Sequence, residues 1–151
     1  MFRFTAARVL MLAASLCIIS GVHISLAAQA KPAHDHDQPG PGSWTLPPDA
    51  EQKKNPLTVD AKLLAQGKSI FKSKCQKCHG PAGRGDGPDA DPDHQENMDL
   101  TQASRAAKNP DGVMFYKVTN GRKKPKMQAF KDQLTEEQIW AVVAYAQSLR
   151  K

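Results

Sequence analysis

Apolar residues in this chain form one short continuous run near the N-terminus and three later stretches spaced at three- and four-residue steps. The run, residues 9–19, follows Arg3 and Arg8 and leads into small residues ending Ala28-Gln29-Ala30. That is the layout of an export signal, cut after Ala30. It is shorter than the roughly 20 residues a membrane span needs. The polar, proline-rich stretch behind it is no stop-transfer pattern, so the membrane enters only if the signal stays uncut. Residues 31–56 carry prolines at 32, 39, 41, 47, 48 and 56, which excludes a helix or a central strand and leaves a linker or an extended wrap. Trp44 and Leu46 favour a wrap over residues 44–57, because a solvated linker gains nothing from an exposed indole. The compact unit is expected over residues 57–151.

Within that unit the first helix is predicted to begin near Thr58 as N-cap, with Asp60 in its first turn. Its spaced positions are Leu63, Gly67, Ile70, Phe71 and Lys74. The second is shorter: Asn109-Pro110-Asp111 opens it, Val113, Phe115, Tyr116 and Val118 give it an apolar face, and Asn120-Gly121 stops it. The third opens on a capping box, Leu134-Thr135-Glu136-Glu137-Gln138, with Leu134 and Ile139 placed as a hydrophobic staple. Ile139, Val142, Val143, Ala146 and Leu149 continue its stripe. No stretch alternates apolar and polar residues long enough for a sheet, so the fold class is all-α. Gly67 lies in mid-helix, where glycine costs up to about 1 kcal/mol against alanine. Its use there would be a close helix approach, with Tyr145 or Trp140 as neighbour.

The formal charge of +6 falls to about +4 once the two signal arginines leave, since the signal has no acids. With an extracytoplasmic address, so modest a charge argues against nucleic acid as a partner. About 95 residues of modest apolar content make a thin core, one that a large apolar cofactor would complete. The chain supplies an attachment point in Cys75-Gln76-Lys77-Cys78-His79. Two thiols two residues apart can form thioethers with the two vinyl groups of a haem, and the next imidazole can serve as proximal iron ligand. A zinc site would want a second ligand pair, yet the remaining cysteine is Cys17, inside the signal. A thioredoxin-like pair would want a βαβ setting. His34-Asp35-His36 offers two ligands without an enclosing fold and reads as a solvated tail.

A second strong ligand would make the iron an electron carrier; an open position would let it bind or activate small molecules. Met127, in a lysine- and proline-flanked loop with no core to fill, is the favoured sixth ligand. Met98 in an acid-rich loop and His94 compete, while Met114 belongs to an apolar helix and reads as packing.

The motifs together closely resemble the class I c-type cytochromes, small single-haem electron carriers. The shared pattern comprises Gly67 and Phe71, the pentad with Gly80-Pro81-Ala82-Gly83-Arg84-Gly85-Asp86-Gly87-Pro88, and Asp99-Leu100-Thr101. It continues through Asn120-Gly121, Met127 with Ala129-Phe130, and 134–140 with Tyr145. The resemblance implies a small helical domain round one covalent haem c. It makes His79 and Met127 the iron ligands, gives Pro88 the carbonyl that holds the imidazole N–H, and makes Gly67, Phe71 and Tyr145 the contact between terminal helices. Many relatives carry proline directly after the ligand methionine; here Gln128 stands there. The function expected is one-electron transfer by a periplasmic, monomeric carrier rather than an enzyme. A c-type haem subunit of a larger dehydrogenase or oxidase is the main alternative, ahead of a haem enzyme or gas sensor. Lys68, Lys72, Lys74 and Lys77 flank the pentad, and Arg122, Lys123, Lys124 and Lys126 precede Met127. Together they would ring a haem edge and steer it to a redox partner with an acidic docking face.

Overall fold

The computed structural model describes residues 44–151; the export signal, its cut after Ala30 and the His34/His36 pair lie outside the described residues. Five α-helices follow in order: α1 Ala61–Lys74, α2 Gln76–His79, α3 Gln95–Met98, α4 Asp111–Asn120 and α5 Glu136–Ser148. Short 3-10 turns lie at Pro92–His94 and Ala103–Arg105. Among the described residues no strand forms; backbone pairs Arg84 with Asp99 and Arg122 with Met127 are isolated bridges. The three long helices expected from the sequence are α1, α4 and α5. The single turns α2 and α3 have too few residues for an apolar period to show.

Helix α1 starts two residues later than Thr58 would place it. Asp60 is its N-cap and accepts from the Leu63 N–H at 2.8 Å, because the short carboxylate satisfies an otherwise orphan amide. The capping box of α5 is present in both directions: Thr135 accepts from the Gln138 N–H, and Gln138 accepts from the Thr135 N–H.

Helices α1 and α5 cross at Gly67. A Cβ there would fall 2.1 Å from the Ala141 carbonyl oxygen and 2.8 Å from Tyr145 Cβ. Hydrogen in place of a side chain therefore sets the approach, with the backbone of Ala141 as the nearer obstacle. One turn on, the Phe71 and Tyr145 rings lie 5.4 Å apart. On its other side α5 meets α4, where Phe115 stacks on Trp140 at 4.2 Å. Residues 139–144 of α5 are all buried, which fits a helix flanked on several sides rather than one with a wet face.

One of those flanks is the proline-rich lead, which wraps the domain from Trp44 onward. A turn at 47–53 buries Ala50 and brings its carbonyl and that of Lys53 over Gly112 at the start of α4. Lys53 Nζ sits 4.2 Å above the Phe115 ring, and Asn55 Nδ2 donates to the Trp140 carbonyl at 3.3 Å. No described helix is long and apolar enough to cross a membrane.

Candidate haem site

The site is built on the break between α1 and α2. The Cys75 N–H closes α1 on the Phe71 carbonyl, and the Cys75 carbonyl then accepts from Cys78 and His79, so one turn carries both thiols and the imidazole. Both thiols are free and half-buried. Burial, and next the charge of Cys78, push the Cys75 thiol up to about 12. It packs against the apolar core as a neutral group.

His79 has its ring 6.4 Å from that of Phe71, and its Nδ1 lies 2.7 Å from the Met98 carbonyl oxygen. A carbonyl only accepts, so Nδ1 carries the proton and Nε2 keeps its lone pair. Burial lowers the pKa of His79 more than this hydrogen bond raises it, which keeps the ring neutral. A neutral imidazole with a free Nε2 and a held Nδ1–H is the form that ligates a metal.

The carbonyl belongs to Met98 and not, as the resemblance suggested, to Pro88. The reason lies in the loop after the pentad. Gly85, at φ 75°, donates back to the His79 carbonyl, and a Cβ there would lie 2.5 Å from the Gln95 carbonyl oxygen, so the chain can close tightly against α3. Arg84 pairs with Asp99, and Leu100 donates to Gly83 at 2.7 Å, which clamps 98–100 across the imidazole. Residues 87–89 are committed elsewhere: Gly87 donates to Cys78 and Asp89 to Lys77, along the backbone of α2. Asp99 fixes the same turn by accepting from the Thr101 N–H, the Thr101 hydroxyl and Gln102. Burial alone would raise its pKa, but these bonds and the charge of Arg105 bring it below the usual carboxylate range. The run Asp99-Leu100-Thr101 announces this turn in the sequence, since an aspartate followed two residues later by threonine can bond its own backbone. Nothing local assigns it to the imidazole.

Met127 lies in a loop closed at its base. Arg122 N–H donates to the Met127 carbonyl at 2.8 Å, the Met127 N–H returns the bond at 2.9 Å, and Arg122 Nε donates to the Pro125 carbonyl at 3.0 Å. Phe130, buried and bonded to the Val118 carbonyl, anchors the far side, and Met127 packs against the core from there. Met114 is buried in the core, the packing role expected of it. His94 Nδ1 lies 2.9 Å from Asp91 Oδ2 at the surface. Lys68, Lys72, Lys74 and Lys77, and Lys123, Lys124 and Lys126, are all exposed.

Residues 64–150 match the Cytochrome c family. The chain belongs to that family. Its fold is also similar to a chain of the Kuenenia stuttgartiensis reducing HAO-like protein complex Kustc0457/Kustc0458. The two share 28% identity at a TM-score of 0.55, over 64% of this cytochrome and 47% of that chain. This cytochrome thus matches about half the length of that chain. The KustC0563 c-type cytochrome matches at 25% identity and a TM-score of 0.47, covering 56% of this chain and 98% of its own. No curated protein matches.

The family's cofactor is a covalently attached haem c with its iron. The donor set fits it: two free thiols on one turn, followed directly by an imidazole whose Nε2 is available. Cys75 and Cys78 would hold the ring system and His79 the iron.

Proposed function

We propose that this cytochrome is an exported carrier of single electrons, with one haem c and its iron held between His79 and Met127. When bound, haem c supplies a one-electron step between ferric and ferrous iron. The chain's part would be to hold His79 and Met127 in place and keep water away, so that neither ligand need leave. The observation that carries the reading is the Nδ1 bond of His79 to the Met98 carbonyl, on the same turn as two free thiols. It also supports Met127 over Met98. The Met98 backbone carbonyl is taken up at the Nδ1 edge of His79, away from the Nε2 that would hold the iron. His94 is engaged with Asp91. Methionine ligation raises the potential relative to a histidine pair, which suits the oxidising part of an electron-transport chain.

Optical spectra of the purified protein, ferric and then ferrous, test this. A low-spin iron, a methionine-to-ferric-iron charge-transfer band in the red and a haem that resists acid-acetone extraction are expected. A high-spin ferric spectrum would show an open iron instead. The mature chain should begin at Lys31 by mass and be recovered from the periplasm.

A second reading, a haem subunit of a larger oxidoreductase, draws on the likeness to a chain of the HAO-like complex. Sedimentation of the natively isolated protein separates the two. A carrier runs as a monomer of one haem, and a subunit runs with its partners.

A further inference from the structure

Trp44 lies outside the haem motif and outside the family match, yet its ring faces two cations at the far end of α4. The Arg122 guanidinium carbon is 4.5 Å from the ring centroid and Lys117 Nζ is 5.1 Å from it. The indole quadrupole attracts a cation at such distances, more so where water is partly excluded. Trp44 and Arg122 are both half-buried.

Arg122 is also the residue that closes the methionine loop. Its backbone exchanges two hydrogen bonds with Met127, and its Nε binds the Pro125 carbonyl. One residue therefore joins the wrap to both arms of the loop. The wrap is itself fixed, with Ala50 buried over α4 and Asn55 bonded to α5. No proline follows Met127 to stiffen the chain there, since Gln128 takes that place.

We propose that Trp44 is a positioning residue for the methionine loop: by holding the Arg122 guanidinium, the wrap sets how readily Met127 gives way to an outside ligand. The proposal rests on the reading of Met127 as sixth ligand. A neutral thioether binds ferric iron weakly, so the rigidity of the loop decides how long the bond survives. Opening the loop breaks the Arg122–Met127 pair, and a guanidinium seated on an indole resists the movement.

The test is imidazole titration of the ferric holoprotein, followed by loss of the methionine charge-transfer band. Trp44→Leu keeps apolar bulk and removes the ring face, while Trp44→Phe keeps a smaller ring. Trp44→Leu should bind imidazole about fivefold more tightly, which is about 1 kcal/mol at 1.4 kcal/mol per tenfold. Trp44→Phe should stay within about twofold of wild type. In an Arg122→Met background, Trp44→Leu should add nothing. An unchanged imidazole affinity in Trp44→Leu overturns the proposal even if its melting temperature falls, because the wrap would then be structural only. Full additivity with Arg122→Met overturns the route through Arg122. Met127→Ala keeps the two readings apart. If the band survives that change, the ligand assignment is wrong and the proposal falls with it. If the band is lost but Trp44→Leu alters nothing, the ligand assignment stands and this proposal alone fails.

Discussion

At the scale of the residue, a methionine can serve this site through its sulfur or through its backbone. Met98 presents a carbonyl to His79, a role any residue can fill, so Met98→Leu should keep the red charge-transfer band and the low-spin ferric spectrum. Met127 is proposed to act through sulfur. Met127→Ala should lose the band, lower the potential and let the ferric iron bind added imidazole, all readable by spectroelectrochemistry and titration. A band lost in Met98→Leu and kept in Met127→Ala would exchange the two roles. Cys75→Ala and Cys78→Ala should each leave at most one thioether. Denaturing gels stained for haem should then show weak staining or none.

At the scale of the element, the contact between α1 and α5 depends on an absent side chain. The Cβ of any larger residue at 67 would meet the Ala141 carbonyl, which belongs to a helix backbone and yields less easily than a side chain. Gly67→Val should therefore destabilise by about 3 kcal/mol, the upper end of ordinary overpacking. The haem should remain attached. At roughly 4–8 °C per kcal/mol for a domain of this size, the melting temperature should fall by more than 10 °C, well above calorimetric error. Thr135→Ala, which removes one half of the α5 capping box, should cost only about 1 kcal/mol by the same measurement. An unshifted melting temperature in Gly67→Val would mean that the helices do not meet there.

At the scale of the molecule, charge is distributed unevenly. Asp86, Asp89, Asp91, Asp93, Glu96 and Asp99 follow the pentad, while exposed lysines flank the pentad and the methionine loop. Exposed charges are screened over about 8 Å at physiological salt, so association with an acidic redox protein should slow as salt rises. Reversing Lys74, Lys77, Lys124 and Lys126 to glutamate should slow it further and flatten the salt dependence in stopped-flow. Reversing the exposed Lys54, Lys62 and Lys151 should do much less. Lys53 is unsuitable as a control, because its ammonium lies over Phe115 and 3.8 Å from Glu136, and reversal would disturb the wrap. Equal losses from the two sets would place the docking face elsewhere.

Local chemistry was legible in the chain. The order of Cys75, Cys78 and His79 names a cofactor because thioether formation and proximal ligation need only one turn of backbone. The helices α1, α4 and α5 show in their apolar spacing, and the α5 cap shows in Thr135 and Gln138, two residues three apart in the chain that bond one another. Gly67 was recognisable as a close approach, though not as one against the backbone of Ala141. What joins distant segments needed the fold. Which carbonyl holds His79 depends on the pairing of Arg84 with Asp99, and that pairing displaces Pro88 in favour of Met98. The place of Trp44 depends on α4 ending where Arg122 can reach back to it. Such contacts leave no period or spacing in the sequence, because each is set by where two separately folded stretches come to rest.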